Sequence, residues 1–302
     1  MNLYTQQSKN IRKTWLLMSL FLVVIIALGW FLSYYYQSPN ILYIAVIFSV
    51  GMNFISYWTS DKIVLGLSHA QPLEHDQNQE LYHIVENLCI TAGLPMPKIY
   101  ILPEASPNAF ATGRNAQHAA LAVTQGLLDK LNKSELEGVI AHELSHIGNR
   151  DILLQTVIVV LVGLVSIVSD MFLRARFSGM GGSRDNDRDS GQLGAIIMVV
   201  GLVFIILSPI IAQLMQLAIS RKREYLADAS GALLTRFPEG LANALEKISA
   251  DQTPMRYTSN ATAHLYISNP FKGKKKNSWL VKMFSTHPPI EERVKILREM
   301  SV

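Results

Sequence analysis

Four runs without a charged side chain constrain this chain most: Trp15 to Tyr36, Ile41 to Trp58, Ile152 to Ser169 and Leu193 to Ile219. As helices rising about 1.5 Å per residue, each is about long enough to cross a hydrocarbon layer roughly 30 Å thick. The surplus apolar content is concentrated in these runs: hydrophobic residues make up 49% of the 302 residues, and mean hydropathy is +0.22. A soluble domain usually carries less. The expected membrane spans are about 15–36, 41–58, 152–173 and 193–219, with a loop at 174–192. The third is interrupted by Gln155 and reaches Asp170. A cleaved signal sequence would be shorter than the first run and would be followed by a small-residue cleavage site before the second, so the first run is read as an anchor.

The formal charge of +4 and the pI near 9.0 do not indicate a nucleic-acid partner, because the cations gather at membrane ends. Lys9, Arg12 and Lys13 precede the first run, Lys62 follows the second, and Arg221, Lys222 and Arg223 follow the fourth. Cytoplasmic flanks are enriched in Lys and Arg, so these belong on one side with both termini. The turn Gln37 to Asn40 has no charge, as a translocated turn should not. The 174–192 loop has four arginines but also Asp185, Asp187 and Asp189. One cysteine, Cys89, excludes an intramolecular disulfide and falls in the apolar stripe Leu81, Ile84, Val85, Leu88, Ala92, so it is expected in a core.

Between the second and third runs stands Ile140-Ala141-His142-Glu143-Leu144-Ser145-His146-Ile147. Residues four apart share a helix face, so the imidazoles of His142 and His146 can grip one metal ion. Glu143 then lies beside that metal, placed to take a proton from water acidified by zinc. Leu136, Val139 and Ile140 give an apolar stripe, and Ser134 with Glu137 forms a possible capping box at the helix start. Upstream, the periodicity predicts a helix from about Gln77 to Thr91 ended by Gly93, a strand at Lys98 to Leu102 after Pro95 and Pro97, and a strand at Ala119 to Thr124. Asn108 to Gly113 reads as a hairpin or edge strand, where an extended peptide could add by main-chain bonds. The fourth run is expected to continue unbroken into a helix carrying Arg221 to Ala232.

Catalytic zinc usually has three protein ligands and an open position. Glu224, Asp228 and His287 are all chemically able to be the third. Glu224 is favoured by its short distance from the fourth run. Asp228, one turn on with a shorter arm, suits a hydrogen bond to a zinc histidine. His287, fixed by Pro288 and Pro289, suits a rigid donor facing substrate. A helix at Pro238 to Ser249, the basic run Lys272 to Lys276 and a last helix containing Arg293 complete the tail.

Taken together, Asn108-Ala109-Phe110-Ala111-Thr112-Gly113, His142-Glu143-Leu144-Ser145-His146 with Asn149-Arg150-Asp151, Arg223-Glu224-Tyr225-Leu226-Ala227-Asp228, Ser285-Thr286-His287-Pro288 and the two hydrophobic pairs resemble the HtpX-type membrane zinc metalloproteases, relatives of the CAAX prenyl proteases. The resemblance covers nearly the whole chain and departs most in the Gly-, Arg- and Asp-rich segment Phe177 to Gln192. It implies one zinc per chain on His142, His146 and Glu224, with Glu143 as general base and acid. It also implies that Asn108, Ala109 and Phe110 line a peptide cleft and that His287 and Arg293 approach the substrate or its oxyanion. The implied role is quality control in the inner membrane, with the lipid bilayer and protein substrates, membrane proteins above all, as partners.

The expected architecture is a mostly α membrane protein with four transmembrane helices and a zincin-like α+β cytoplasmic catalytic domain carrying a small sheet. It divides into a membrane hairpin at 1–60, a first catalytic part at 61–151, a second hairpin at 152–219 and a second catalytic part at 220–302. Two other readings stand beside it. One is a protease whose zinc helix lies within lipid, opposed by Lys130, Lys133, Glu135 and Glu137 just before the motif. The other is a silent scaffold with a structural zinc, which would have no use for Glu143.

Overall fold

The computed structural model describes residues 3–161, 163, 220–257, 261–271 and 288–300. Half of the expected third span, all of the fourth, the 174–192 loop, the basic run Lys272 to Lys276 and His287 lie outside the described residues.

Two long helices open the chain, α1 (Leu3–Tyr35) and α2 (Pro39–Trp58). Among the described residues they are the two long and apolar enough to cross a membrane. They are not the buried helices of a soluble core, because Val23, Phe31, Ile44, Ile47 and Phe54 are exposed. Aromatic rings gather at both ends of the pair. Trp15 stacks on Tyr57 at 5.8 Å at one end, and Trp30 on Tyr34 at 6.4 Å at the other. Interfacial belts of a membrane protein have this distribution. Within the pair Gly29 lies against Ala45, the small-residue contact that lets two membrane helices approach closely.

After α3 (Ser60–Leu67) the chain forms a four-stranded mixed sheet in the order β1-β2-β4-β3: β1 (Gln71–Pro72), β2 (Lys98–Leu102), β3 (Ala109–Gly113) and β4 (Ala119–Thr124). β2 and β4 run parallel; β3 is the edge and pairs antiparallel with β4. α4 (Gln79–Ala92) starts where the Asn78 side chain accepts from Leu81 N–H and stops at left-handed Gly93 (φ 65°). Thr124 likewise caps α5 (Gln125–Lys130).

Both sheet faces are covered. Ile99, Ala109, Ala111, Leu121 and Val123 pack with α4 and with α6 (Lys133–Gly148). Leu102, Phe110, Ala120 and Ala122 pack with Val64 and Leu65 of α3 and with Leu154, Ile158 and Val159 of α7 (Asp151–Leu161). α7 also meets α1: Leu153, Val157 and Leu161 join Met18, Phe21 and Ile25. It therefore ties the membrane pair to the sheet and follows directly on α6.

The remaining described helices are α8 (Arg221–Thr235), α9 (Pro238–Ala250) and α10 (Ile290–Arg298). Two glycines set their distance from α6. A Cβ on Gly138 would stand 2.6 Å from Leu241 N, and one on Gly231 would stand 3.0 Å from His142 N. At Gly138 only a residue without Cβ lets α9 lie this close to α6, and at Gly231 a Cβ would force α8 and α6 apart by a few tenths of an ångström.

Two local expectations need correction. The α6 capping box is Asn132 with Glu135, not Ser134 with Glu137: Asn132 Oδ1 accepts from Glu135 N–H at 3.0 Å while Glu135 Oε2 accepts from Asn132 N–H at 2.9 Å. Asn caps as well as Ser does, and once the helix begins at Lys133, Ser134 falls inside the first turn. Nor is α8 an unbroken continuation of a preceding helix, since Ser220 is extended (φ −93°, ψ 128°) and α8 starts afresh at Arg221. Glu224 therefore sits in the first turn of α8.

Candidate metal centre

His142, Glu143 and His146 are all buried on α6, and Glu224 of α8 is buried opposite them. His142 Nε2 lies 3.2 Å from His146 Nε2, 3.8 Å from Glu224 Oε2, and His146 Nε2 lies 3.7 Å from Glu224 Oε1. Donors about 2.1 Å from a tetrahedral zinc would be separated by about 3.4 Å. The three groups, which can all offer ligand atoms within 4.8 Å of one another, therefore fit one small metal ion. The two imidazole planes stand at 90°, so their lone pairs converge from different directions.

Each histidine turns its other nitrogen to a carboxylate. Asp228 Oδ1 lies 2.9 Å from His142 Nδ1, and Asp151 Oδ2 lies 3.0 Å from His146 Nδ1. A proton held on Nδ1 leaves Nε2 as the free lone pair, which is the tautomer a metal needs. Burial alone would disfavour charge on His146, yet Asp151, Glu224 and Glu143 outweigh it and lift the imidazole from 6.5 to about 9. These three carboxylates thus favour positive charge at His146.

Asp228 is itself held. Arg293, fully buried on α10, donates Nε to Asp228 Oδ2 at 2.8 Å and Nη2 to Asp228 Oδ1 at 2.7 Å. Burial pushes the Asp228 carboxyl upward, but Arg293 and His142 win and hold it at about 2. Two of the Arg293 donor nitrogens are therefore committed to Asp228, where the resemblance implied a guanidinium turned to substrate.

The expected cleft residues lie under cover. Phe110 is buried edge-on against Tyr266 at 5.2 Å. The Asn108 amide donates to Ser268 O at 3.0 Å and accepts from Ser268 N–H at 3.2 Å, and Ile267 N–H donates to Ala109 O at 3.1 Å. The chain's own 267–268 segment thus occupies the start of the β3 edge. Thr124 N–H donates to Asn108 O, so by antiparallel alternation the main-chain groups of Ala109, Ala111 and Gly113 face away from β4. Ala111 is the central residue of that outer row.

From the sequence, Asp151 is only part of a motif, Arg223 is a membrane-flanking cation, and Asn10 has no role; Arg223 is in fact buried. Yet Asn10 Nδ2 donates to Asp151 Oδ1 at 2.6 Å, and Arg223 Nη1 lies 3.4 Å from the same oxygen.

Residues 75–301 match the description of peptidase family M48. A Protease HtpX homolog of Caldanaerobacter subterraneus subsp. tengcongensis is 47% identical over 302 residues, covering 99% of this chain and 98% of the relative. The chain belongs to peptidase family M48. A second Protease HtpX homolog, from Thermococcus sibiricus, is 47% identical over 292 residues, covering 96% of this chain and 95% of the relative. The crystal structure of S. mikatae Ste24p aligns with a TM-score of 0.49 at 19% identity, covering 97% of this chain and 67% of that one, too loosely to carry an inference. This M48 chain is therefore an HtpX-type membrane metalloendopeptidase, and the family brings a metal cofactor with it.

Proposed function

We propose that the metal is zinc, one per chain, held by His142 Nε2, His146 Nε2 and a Glu224 carboxylate oxygen, and that the enzyme cuts damaged or misassembled membrane proteins. The observation that carries the ligand assignment is the triangle of 3.2, 3.8 and 3.7 Å between these donors. Zinc in that triangle supplies Lewis acidity, polarising a peptide carbonyl and acidifying water. Glu143 takes the proton from the attacking water and passes it to the leaving amine. Asp228 and Asp151 hold the two imidazoles in register, and Arg293 positions Asp228. With Arg293 held on Asp228, His287 is the donor to the oxyanion in this reading, a contribution worth a few kcal/mol in comparable sites.

An extended substrate would add to the outer edge of β3, with Ala111 offering its N–H and C=O. Residues 108–110 then shape that edge from beneath rather than by side-chain contact. The membrane arrangement we propose has four spans, at about 15–36, 41–58, 152–173 and 193–219, in the cell inner membrane. Segments 61–151 and 220–302 make one zincin-like catalytic unit, cytoplasmic with both termini. Lys9, Arg12, Lys13 and Lys62 flanking the first pair support that orientation. A scaffold with a structural zinc is disfavoured by the donor set, which among the described residues is three groups rather than four, beside a buried glutamate.

The test is metal-dependent proteolysis. Protein purified in detergent and stripped by a chelator should be inert toward an unfolded casein and regain cleavage when zinc is returned. Cleavage that persists in full after the metal is shown to be gone would contradict the proposal.

A further inference from the structure

We infer that the N-terminal membrane helix reaches into the catalytic centre through Asn10, a positioning residue that fixes Asp151 and, through it, His146. The inference rests on the reading of His142, His146 and Glu224 as metal ligands.

Asn10 stands on α1 and is 2% exposed. Its Nδ2 donates to Asp151 Oδ1 at 2.6 Å and to Asn149 O at 3.0 Å, while its Oδ1 accepts from Arg223 Nη1 at 3.3 Å. The amide can point only one way here. Both neighbours of its nitrogen are acceptors without a proton to give, and the neighbour of its oxygen is a guanidinium that can only donate. The carboxylate that Asn10 grips is the one whose other oxygen faces His146 Nδ1. Arg223, which touches both Asn10 and Asp151, immediately precedes the ligand Glu224. One carboxamide thus joins the first membrane helix to Asp151, which faces His146, and to Arg223, the residue before Glu224 in sequence.

Asp151 is 1% exposed, so a lost partner cannot be replaced by bulk water without opening the site. Without the amide, Asp151 keeps only the long contact to Arg223 on Oδ1 and can rotate that oxygen toward the guanidinium, turning Oδ2 off His146. Gln7 provides an internal comparison. It lies one turn earlier on α1 and its Nε2 donates to Gly148 O at 2.6 Å, at the end of α6. It therefore docks α1 on the metal helix without touching Asp151.

The experiment compares full-length wild type with Asn10→Leu, Asn10→Asp and Gln7→Leu in detergent. Zinc affinity is measured by chelator competition, coordination by the visible spectrum after cobalt substitution, and stability by unfolding temperature with and without metal. Asn10→Asp keeps the shape but removes the donor, so it answers the question even if Asn10→Leu does not fold. Both Asn10 variants should bind zinc about 10 to 100-fold more weakly, as for other outer partners of metal ligands, with an altered cobalt spectrum and a smaller metal-induced rise in unfolding temperature. Gln7→Leu should unfold at a lower temperature yet keep wild-type zinc affinity and spectrum. Wild-type zinc affinity and spectrum in a folded Asn10 variant, or equal weakening in Gln7→Leu, would overturn the inference, the second because α1 would then act by docking alone. Failure of wild type to bind either metal would instead bring down the ligand assignment, and this inference with it.

Discussion

Breaking the Arg293–Asp228 pair should cost more than removing it altogether. Both side chains are about fully buried, at 0% and 1% exposure, and the carboxylate is shared between Arg293 at 2.7 and 2.8 Å and His142 at 2.9 Å. Asp228→Leu leaves a guanidinium in the interior with no counter-charge, and Arg293→Leu leaves a carboxylate with only an imidazole. Each single change should destabilise by about 3–5 kcal/mol, whereas the double change removes both charges and should cost much less than the sum. At roughly 2–4 °C per kcal/mol, each single variant should unfold about 10 °C early, and the double variant should recover part of that loss. Tryptophan fluorescence of wild type and the three variants in detergent, with zinc content on the same samples, reads the cycle. Additivity within about 0.5 kcal/mol would refute the coupling. If Arg293→Leu leaves stability and zinc unchanged but slows turnover, the guanidinium works on substrate and the positioning role is wrong.

Gly231→Ala should push α8 off α6, because its methyl would meet His142 N at 3.0 Å and Ala141 C at 3.3 Å, both main-chain atoms that cannot turn aside. A cost of about 1–3 kcal/mol and weaker zinc binding through Glu224 are expected, and unchanged values in thermal unfolding and chelator competition would contradict the close approach. Burial pushes the Cys89 thiol from 9.0 to about 11. The charged form is the disfavoured one, so alkylation of folded protein should be slow at pH 8, rise about tenfold per pH unit toward 11 and be roughly 100-fold faster once unfolded, as mass spectrometry of labelled protein can follow. A reporter fused after Lys133 should read as cytoplasmic and one at Ser183 as translocated; both on one side would remove the third span.

What was legible in the sequence was local. Gly93 and the Pro95 and Pro97 turn bound α4 and β2, and the four-residue spacing of His142 and His146 places both rings on one face whatever surrounds them. Asp228 was readable for the same reason, being one turn from Glu224 on one helix. Arg293 was not, because its direction depends on how α10 lies against α8, which no periodicity records. Asn10 was further out of reach, since it meets Asp151 across 141 positions. A signal existed nonetheless: Asn10 and Thr14 head the same buried stripe of α1 as Met18, Phe21 and Ile25, so two polar residues begin a face otherwise packed with apolar ones. A polar side chain in such a stripe needs a partner: Thr14 donates to Asn10 O in its own helix, and Asn10 donates to Asp151.

Glu143→Gln tests the central claim most directly, because the amide keeps the side chain's shape at a buried position but cannot accept a proton. Zinc stoichiometry and the rate of casein cleavage are measured on the same purified variant beside wild type. The account predicts one zinc per chain with hydrolysis almost abolished. Full zinc with wild-type turnover would contradict it, leaving the metal triangle without its base.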